Sequence, residues 1–265
     1  MAEPRDPSGD LRRIAFLLEA ASEPTYRVRA FRSAAATVAG LDPVDLAERV
    51  RRGTLRDLPG IGEVMARTVA ESLRGEEPVY LRRLEATGGR PVAEAGAELL
   101  AALRGDCHVH SEWSDGGSPI REMADAAREL GHAYLVLTDH SPRLKVANGL
   151  TAERLEQQLT EVALLNAELA PFRILTGIEV DILSDGSLDQ DRDLLSRLDL
   201  VVGSVHSELA MDERPMTRRL VTALADPLLD VLGHPTGRMV AGKRRRPPSA
   251  FDAEIVFAAA ARFDK

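Results

Sequence analysis

Along residues 11–103 apolar side chains recur at three- and four-residue intervals, in LRRIAFLLEAA, YRVRAFRSAAATVAGL, DPVDLAERVRRG and EVMARTVAESLRG. That spacing gathers them on one face of a helix, and no strand-like alternation interrupts it. From residue 106 the pattern changes to short apolar runs, DCHVH, HAYLVLTDH, FRILTGIEV, DLVVGSVH and LLDVLGHP. Between them lie amphipathic stretches such as PIREMADAAREL, AERLEQQLTEVALLNAEL, DQDRDLLSRL and MTRRLVTALA. Strand and helix in alternation predict a parallel sheet or barrel. The chain is therefore expected to hold an all-helical part over 1–90 and an α/β part over 105–265. A linker or connecting helix over 91–104 follows the small-residue stretch TGGRPVAEAG.

Each apolar run of the second part ends on a side chain that can bind a metal: His108 and His110, then His140, Glu179, His206 and His234. In an α/β barrel the C-terminal ends of parallel strands converge on one face, so residues far apart in sequence become neighbours there. His108 and His110, two apart on a strand, point to the same side. Asp115, in the following loop, can reach inward. Imidazole nitrogen with carboxylate oxygen suits zinc, manganese or iron, and more than one ion can share Glu179. His132 falls in a turn before a strand and reads as structural. Cys107, alternating away from the ligand face, is expected to be a small core residue.

Composition narrows the setting. The chain has 265 residues, enough for two domains. No apolar run approaches the roughly 20 residues of a membrane-spanning helix, and MAEPRDPSGD lacks a secretory pattern, so a cytoplasmic protein without a membrane partner is expected. A single cysteine fits a reducing compartment. Of the 34 basic and 42 acidic residues, 16 of each lie in 1–104, leaving 18 basic and 26 acidic for 105–265. An acidic domain repels nucleic acid unless bound divalent ions reverse the local sign, so charge alone does not decide the partner.

The motifs CHVHSEWSDG, LTDHS, TGIEVDIL, VVGSVHS and LGHPTGR, in this order, resemble the metal-binding motifs of the PHP (polymerase and histidinol phosphatase) domain, as found in bacterial family X DNA polymerases. The resemblance implies a distorted β/α barrel holding up to three divalent ions (Mn, Zn or Fe). His108, His110 and Glu179 would serve one ion, Glu179, His206 and His234 a second, Asp115 and His140 a third. It also implies two further strands and a closing Asp-x-His pair after His234, whereas the sequence ends at AAAARFDK. The barrel is accordingly expected to be incomplete at its C-terminal end, with the first and third ions a ligand short and Asp181 the first substitute.

LRDLPGIGEVMARTVAESL resembles a helix-hairpin-helix, in which Gly60 and Gly62 let the backbone turn and expose helix amides to a DNA phosphate without reading sequence. Arg27, Arg29 and Arg32 in TYRVRAFRSAA resemble the DNA-end-binding face of family X polymerases. The only lysines are Lys145, Lys243 and Lys265, so this part offers no amine for Schiff-base chemistry.

Together these readings predict metal-assisted phosphoester hydrolysis at a DNA end, as a 3′-5′ exonuclease or 3′-phosphatase of DNA repair. Arg238 and the basic run that includes Lys243 and Arg244 are expected to grip the phosphate. The alternatives are a small-molecule phosphatase of the histidinol-phosphate type, or a DNA-binding protein with an incomplete, inactive metal site.

Overall fold

A computed structural model describes residues 4–21, 23–88, 96–240 and 245–265, and these divide into two compact units that part between Glu98 and Leu99. The first unit is helical: α1 (Pro7–Ala20), α2 (Thr25–Ala39), α3 (Pro43–Arg52), α4 (Glu63–Leu73) and α5 (Val79–Gly88). Two of its helices begin at side-chain caps that the sequence supplies. Asp6 accepts from Ser8 N with Pro7 at the first position, and Asp42 accepts from Val44 and Asp45 N with Pro43 in the same place. Gly53, left-handed at φ 71°, ends α3.

The apolar stripes read from the sequence meet in one core, in which Leu11, Ile14, Leu18, Val28, Phe31, Val69 and Leu81 are buried. Each fully buried Leu or Ile stabilises the unit by about 1.5–3 kcal/mol relative to exposure. Asp10, on the buried face of α1, accepts from two nitrogens of Arg5 (2.8 and 3.0 Å) and from the hydroxyl of Ser72 (2.7 Å).

The second unit carries five strands: β1 (Gly105–Val109), β2 (Tyr134–Leu137), β3 (Arg173–Asp181), β4 (Leu200–Ser204) and β5 (Val231–Leu232). All pair in parallel in the order β1-β2-β3-β4-β5, with a helix over most crossovers: α7 (Ile120–Glu129), α8 (Ala152–Leu169), α9 (Arg192–Leu195) and α10 (Glu213–Leu224). The sheet curls into a half-barrel, the expected partial PHP architecture. Two core clusters form around it, one holding Ile178, Val180, Val201, Leu220 and Leu224 and the other Leu135, Leu137, Ile174, Ile120 and Val162.

The differences from the sequence reading are local. α6 (Ala97–Ala102) occupies part of the proposed linker. α9 spans four residues rather than the ten of DQDRDLLSRL, because Asp191 caps it by accepting from Asp193 and Leu194 N. α11 (Ala253–Arg262) was not anticipated. Cys107 is not a core residue: β1 is an edge strand with β2 as its one neighbour, so the position facing away from the ligands meets solvent. Lys243 and Arg244 lie outside the described residues.

Candidate metal centre

Glu179 lies inside β3, two residues before its end, and is 1% exposed. The sheet register sets His140 opposite it as an isolated parallel bridge partner, and Val202 of β4 on the other side. His206 and His234 each follow the end of their strand by two residues. His108 within β1 and His110 just after it share a face, as their spacing requires.

The carboxylate of Glu179 consequently meets five imidazoles. Its Oε2 stands 3.4 Å from His108 Nε2, 3.4 Å from His110 Nε2 and 3.0 Å from His140 Nδ1. Its Oε1 stands 3.4 Å from His206 Nε2 and 3.0 Å from His234 Nε2. The rings form a continuous arc, with successive centroids 5.0, 4.4, 5.0 and 5.1 Å apart from His108 through His110, His140 and His206 to His234. Asp115 hangs over it from the loop after β1, its Oδ1 3.5 Å from His110 Nδ1 and 3.6 Å from His140 Nε2.

Three overlapping sets have ligand atoms all within 4.8 Å of one another: His108, His110 and Glu179; His110, Asp115 and His140; His140, Glu179 and His206. The chemistry of these atoms fits a divalent cation. Nδ1 of His110, His140 and His206 and Oε1 of Glu179 are buried without a hydrogen-bond partner among the described residues, and the 3.0 Å approach of His140 to Glu179 is not aligned as a hydrogen bond. Converging buried lone pairs with no donor are costly in an empty polar cluster and are what a cation satisfies.

Electrostatics prepares the same atoms. Burial pushes His140 down to about 4 and lowers His110 as well, which keeps both imidazoles neutral and able to ligate. Burial would raise Glu179, but contacts with His108, His206 and His234 outweigh it and hold the carboxyl well below its usual range. His234, half-exposed, is raised by its contact with Glu179, against burial and the positive charge of Arg246.

Beneath the arc lies a set of residues that the sequence reading passed over. Asp139, 1% exposed, accepts from Ser111 N (2.8 Å), Ser111 Oγ (2.6 Å), Ser114 Oγ (2.5 Å) and Gln158 Nε2 (2.7 Å). It ties the loop carrying Asp115 to the segment that carries His140 and to α8. Arg154 fastens the same loop by donating to the carbonyl of Trp113 and to those of Asn148 and Gly149. Asp181 is engaged with the His206 loop. It accepts from the backbone N of His206 (3.1 Å), stands 3.8 Å from that ring's Nδ1, and has its carboxyl raised by burial. The buried Arg219 donates to the carbonyls of Ile182 and Ser207, bracing β3 and the His206 loop from below. The Asp directly before His140 in LTDHS was the one sequence signal for this support.

Of the residues read as phosphate contacts, Arg238 is exposed, four residues after His234. Arg246, from the same basic run, is the better placed. Its Nε donates to the carbonyl of Gly237 (2.6 Å), and neither terminal nitrogen has a partner among the described residues.

In the helical unit, Gly60 adopts φ +79°, Ile61 is buried, and Gly62 caps α4 in extended conformation, so the hairpin forms as read. A Cβ on Gly60 would lie 3.7 Å from Ser33 Oγ, which sets α2 beside the turn. Arg27 is engaged by Glu23 (2.5 Å) and Tyr80 (2.9 Å), and Arg32 by Glu19 (2.5 Å). Arg29 is exposed and without an ion pair among the described residues. Exposed pairs of this kind contribute about 0–1 kcal/mol, little enough for a phosphate to displace.

Comparison with known proteins agrees with both units. Residues 6–77 match the helix-hairpin-helix domain and residues 106–258 the PHP domain. The chain is 52% identical over 145 residues to DNA polymerase/3′-5′ exonuclease PolX of Bacillus subtilis (strain 168), covering 55% of this chain and 25% of that protein. It is 30% identical over 135 residues to a "Probable phosphatase" of Thermoanaerobacter sp. (strain X514), covering 49% of this chain and 53% of the relative. A "Probable phosphatase" of Acetivibrio thermocellus matches to the same extent. The chain thus spans a quarter of the polymerase and about half of the phosphatases. No helix among the described residues is long and apolar enough to cross a membrane. The PHP match takes in more than half of the 265 residues and every member of the histidine arc, and the chain belongs to the PHP domain family.

Proposed function

We propose that this protein is a metal-dependent phosphoesterase that acts on DNA ends, removing a terminal nucleotide or a 3′-phosphate. The observation that carries the reading is the arc of five histidines around one buried glutamate, with buried ring nitrogens and a carboxylate oxygen left unpartnered. His108, His110, Asp115, His140, Glu179, His206 and His234 would hold divalent ions, Mn, Zn or Fe. Ions bound there would supply Lewis-acid activation of water and of the phosphoester.

The chain's own residues do the rest. Glu179, ionised and shared between two halves of the arc, fixes the spacing of the ligands. Asp139, Arg154 and Arg219 hold the loops that carry them. Arg238 and Arg246 would meet an arriving phosphate, and Arg246 has both terminal nitrogens to offer among the described residues. Lys243 and Arg244 belong to the same run.

DNA as substrate is supported by the helix-hairpin-helix, in which the positive φ of Gly60 and the extended Gly62 leave the first amides of α4 open to a phosphate. Such contacts touch the backbone alone, so binding would be independent of sequence. The named relatives favour the same reaction class, one a polymerase with 3′-5′ exonuclease in its name and two probable phosphatases.

Turnover of a 3′-phosphorylated oligonucleotide, histidinol phosphate and an aryl phosphate, compared with manganese or zinc added, tests the proposal. Preference for the oligonucleotide supports it. Preference for histidinol phosphate would make this a small-molecule phosphatase, and turnover of none would leave a DNA-binding protein with an inactive site.

A further inference from the structure

Between the loop that follows His206 and the segment 246–250 the surface opens into a slot of about 360 Å³. One wall is Leu209, Ala210 and Met211, in the loop that follows His206; the other is Pro247, Pro248 and Ala250. Its walls are pinned. The buried Ser249 donates its hydroxyl to the carbonyl of Leu209 (2.7 Å) and its N–H to that of Thr236 (2.8 Å). Gly237 approaches so closely that a Cβ there would stand 2.7 Å from Leu209 Cδ2. The slot is thus preformed, joined to the segment that carries His234, and at the low end of the roughly 300–1,000 Å³ usual for small-molecule sites.

Its lining carries both signs of charge. Arg246 lines it and is anchored through Nε to Gly237, three residues after His234, with both terminal nitrogens unspent among the described residues. Asp212 and Glu213 also line it. Asp212 occupies the N-cap position of α10 yet makes no side-chain cap bond, so its carboxylate remains available as an acceptor.

We infer that this slot is a subsite for one nucleoside unit of the substrate, with Arg246 holding the attached phosphate between the slot and the histidine arc. The inference rests on the phosphoesterase reading and adds the chemistry of the group joined to the phosphate. Apolar walls call for a flat, largely apolar body. Free carboxylates call for N–H or O–H donors on that body and repel a second phosphate. A nucleobase with its sugar meets both demands, and the volume admits one such unit rather than a strand. The unit can come from a DNA end or from a free nucleotide.

The test is equilibrium binding of thymidine 3′-phosphate and of inorganic phosphate to the manganese-loaded protein by calorimetry. Wild type should prefer the nucleotide by at least about tenfold, the ratio that roughly 1.4 kcal/mol of added contact gives. Ala210→Trp and Ala250→Trp, exposed positions on opposite walls, should each erase that preference. Arg246→Ala should weaken both probes by a similar factor of about ten. Displacement of the nucleotide by a 3′-phosphorylated oligonucleotide identifies a DNA end as the source; its failure to compete assigns the slot to free nucleotides. Equal wild-type affinity for the two probes overturns the subsite, as does a preference that survives both tryptophans. Absence of turnover with intact nucleotide preference would instead overturn the phosphoesterase reading and leave the slot standing.

Discussion

Replacing Asp139 by Ala should be among the most damaging changes in the second unit, although the residue ligates nothing in the arrangement described. Its carboxylate is 1% exposed and accepts four hydrogen bonds of 2.5–2.8 Å, from Ser111 N, Ser111 Oγ, Ser114 Oγ and Gln158 Nε2. Hydrogen bonds to a charged group contribute about 1.5–3 kcal/mol each. The simple product of four overstates the loss, because serine hydroxyls can turn to other acceptors, water can enter the vacated space, and removing a buried charge recovers its desolvation cost. A net loss of about 3–5 kcal/mol is expected, the range for breaking a buried charged network.

Asp139→Asn keeps the shape but turns an amide N–H toward the donors of Gln158 and Ser111, a conflict that rotation of the Gln158 amide relieves, so about 1–2 kcal/mol is expected. The assay is built into the chain: Trp113, its only tryptophan, sits in the loop that Asp139 anchors. Urea unfolding followed by its fluorescence, with a slope of about 2 kcal/mol/M, should show the alanine midpoint falling by roughly 2 M. A midpoint within about 0.5 M of wild type would refute the claim that this carboxylate holds the two ligand-bearing loops together.

Three further outcomes follow from the same structure. Manganese or zinc at about 100 times its Kd should stabilise wild type by about 2.7 kcal/mol, or roughly 5–10 °C in Tm, and Glu179→Gln should abolish that gain while the metal-free Tm survives; an undiminished metal shift in the variant would remove Glu179 from the centre. DNA affinity should be independent of sequence and fall steeply with salt as counterions are released. Gly60→Val, at φ +79°, should abolish this binding with helicity by circular dichroism retained, and unchanged affinity would return the hairpin to a structural role. Gly149→Ala should cost more than about 2 kcal/mol in urea unfolding, because a Cβ there would overlap the carbonyl oxygen of Ser141, a backbone atom that cannot move aside.

The sequence by itself determined the two-part organisation, because hydrophobic periodicity is a local property: a stripe at three- and four-residue spacing forms a helix wherever it lies, and short apolar runs between amphipathic helices form parallel strands. It also placed the ligand candidates, since a histidine at the end of an apolar run in such a fold must face the same way as its counterparts on neighbouring strands. Cys107 escaped this logic, because alternation says which side a residue faces but not whether that side is covered; an edge strand leaves it in solvent. The roles of Asp139, Arg154 and Arg219 were equally out of reach, for the partners that define them, Ser111 and Gln158, Trp113, and Ser207, lie 12 to 41 residues away and meet them only once the strands align. Arg246 stood in the sequence as one cation of a basic run. Only the tertiary structure, by fastening its Nε to Gly237, three residues after His234, and making it part of the slot's lining, gave that one arginine a direction.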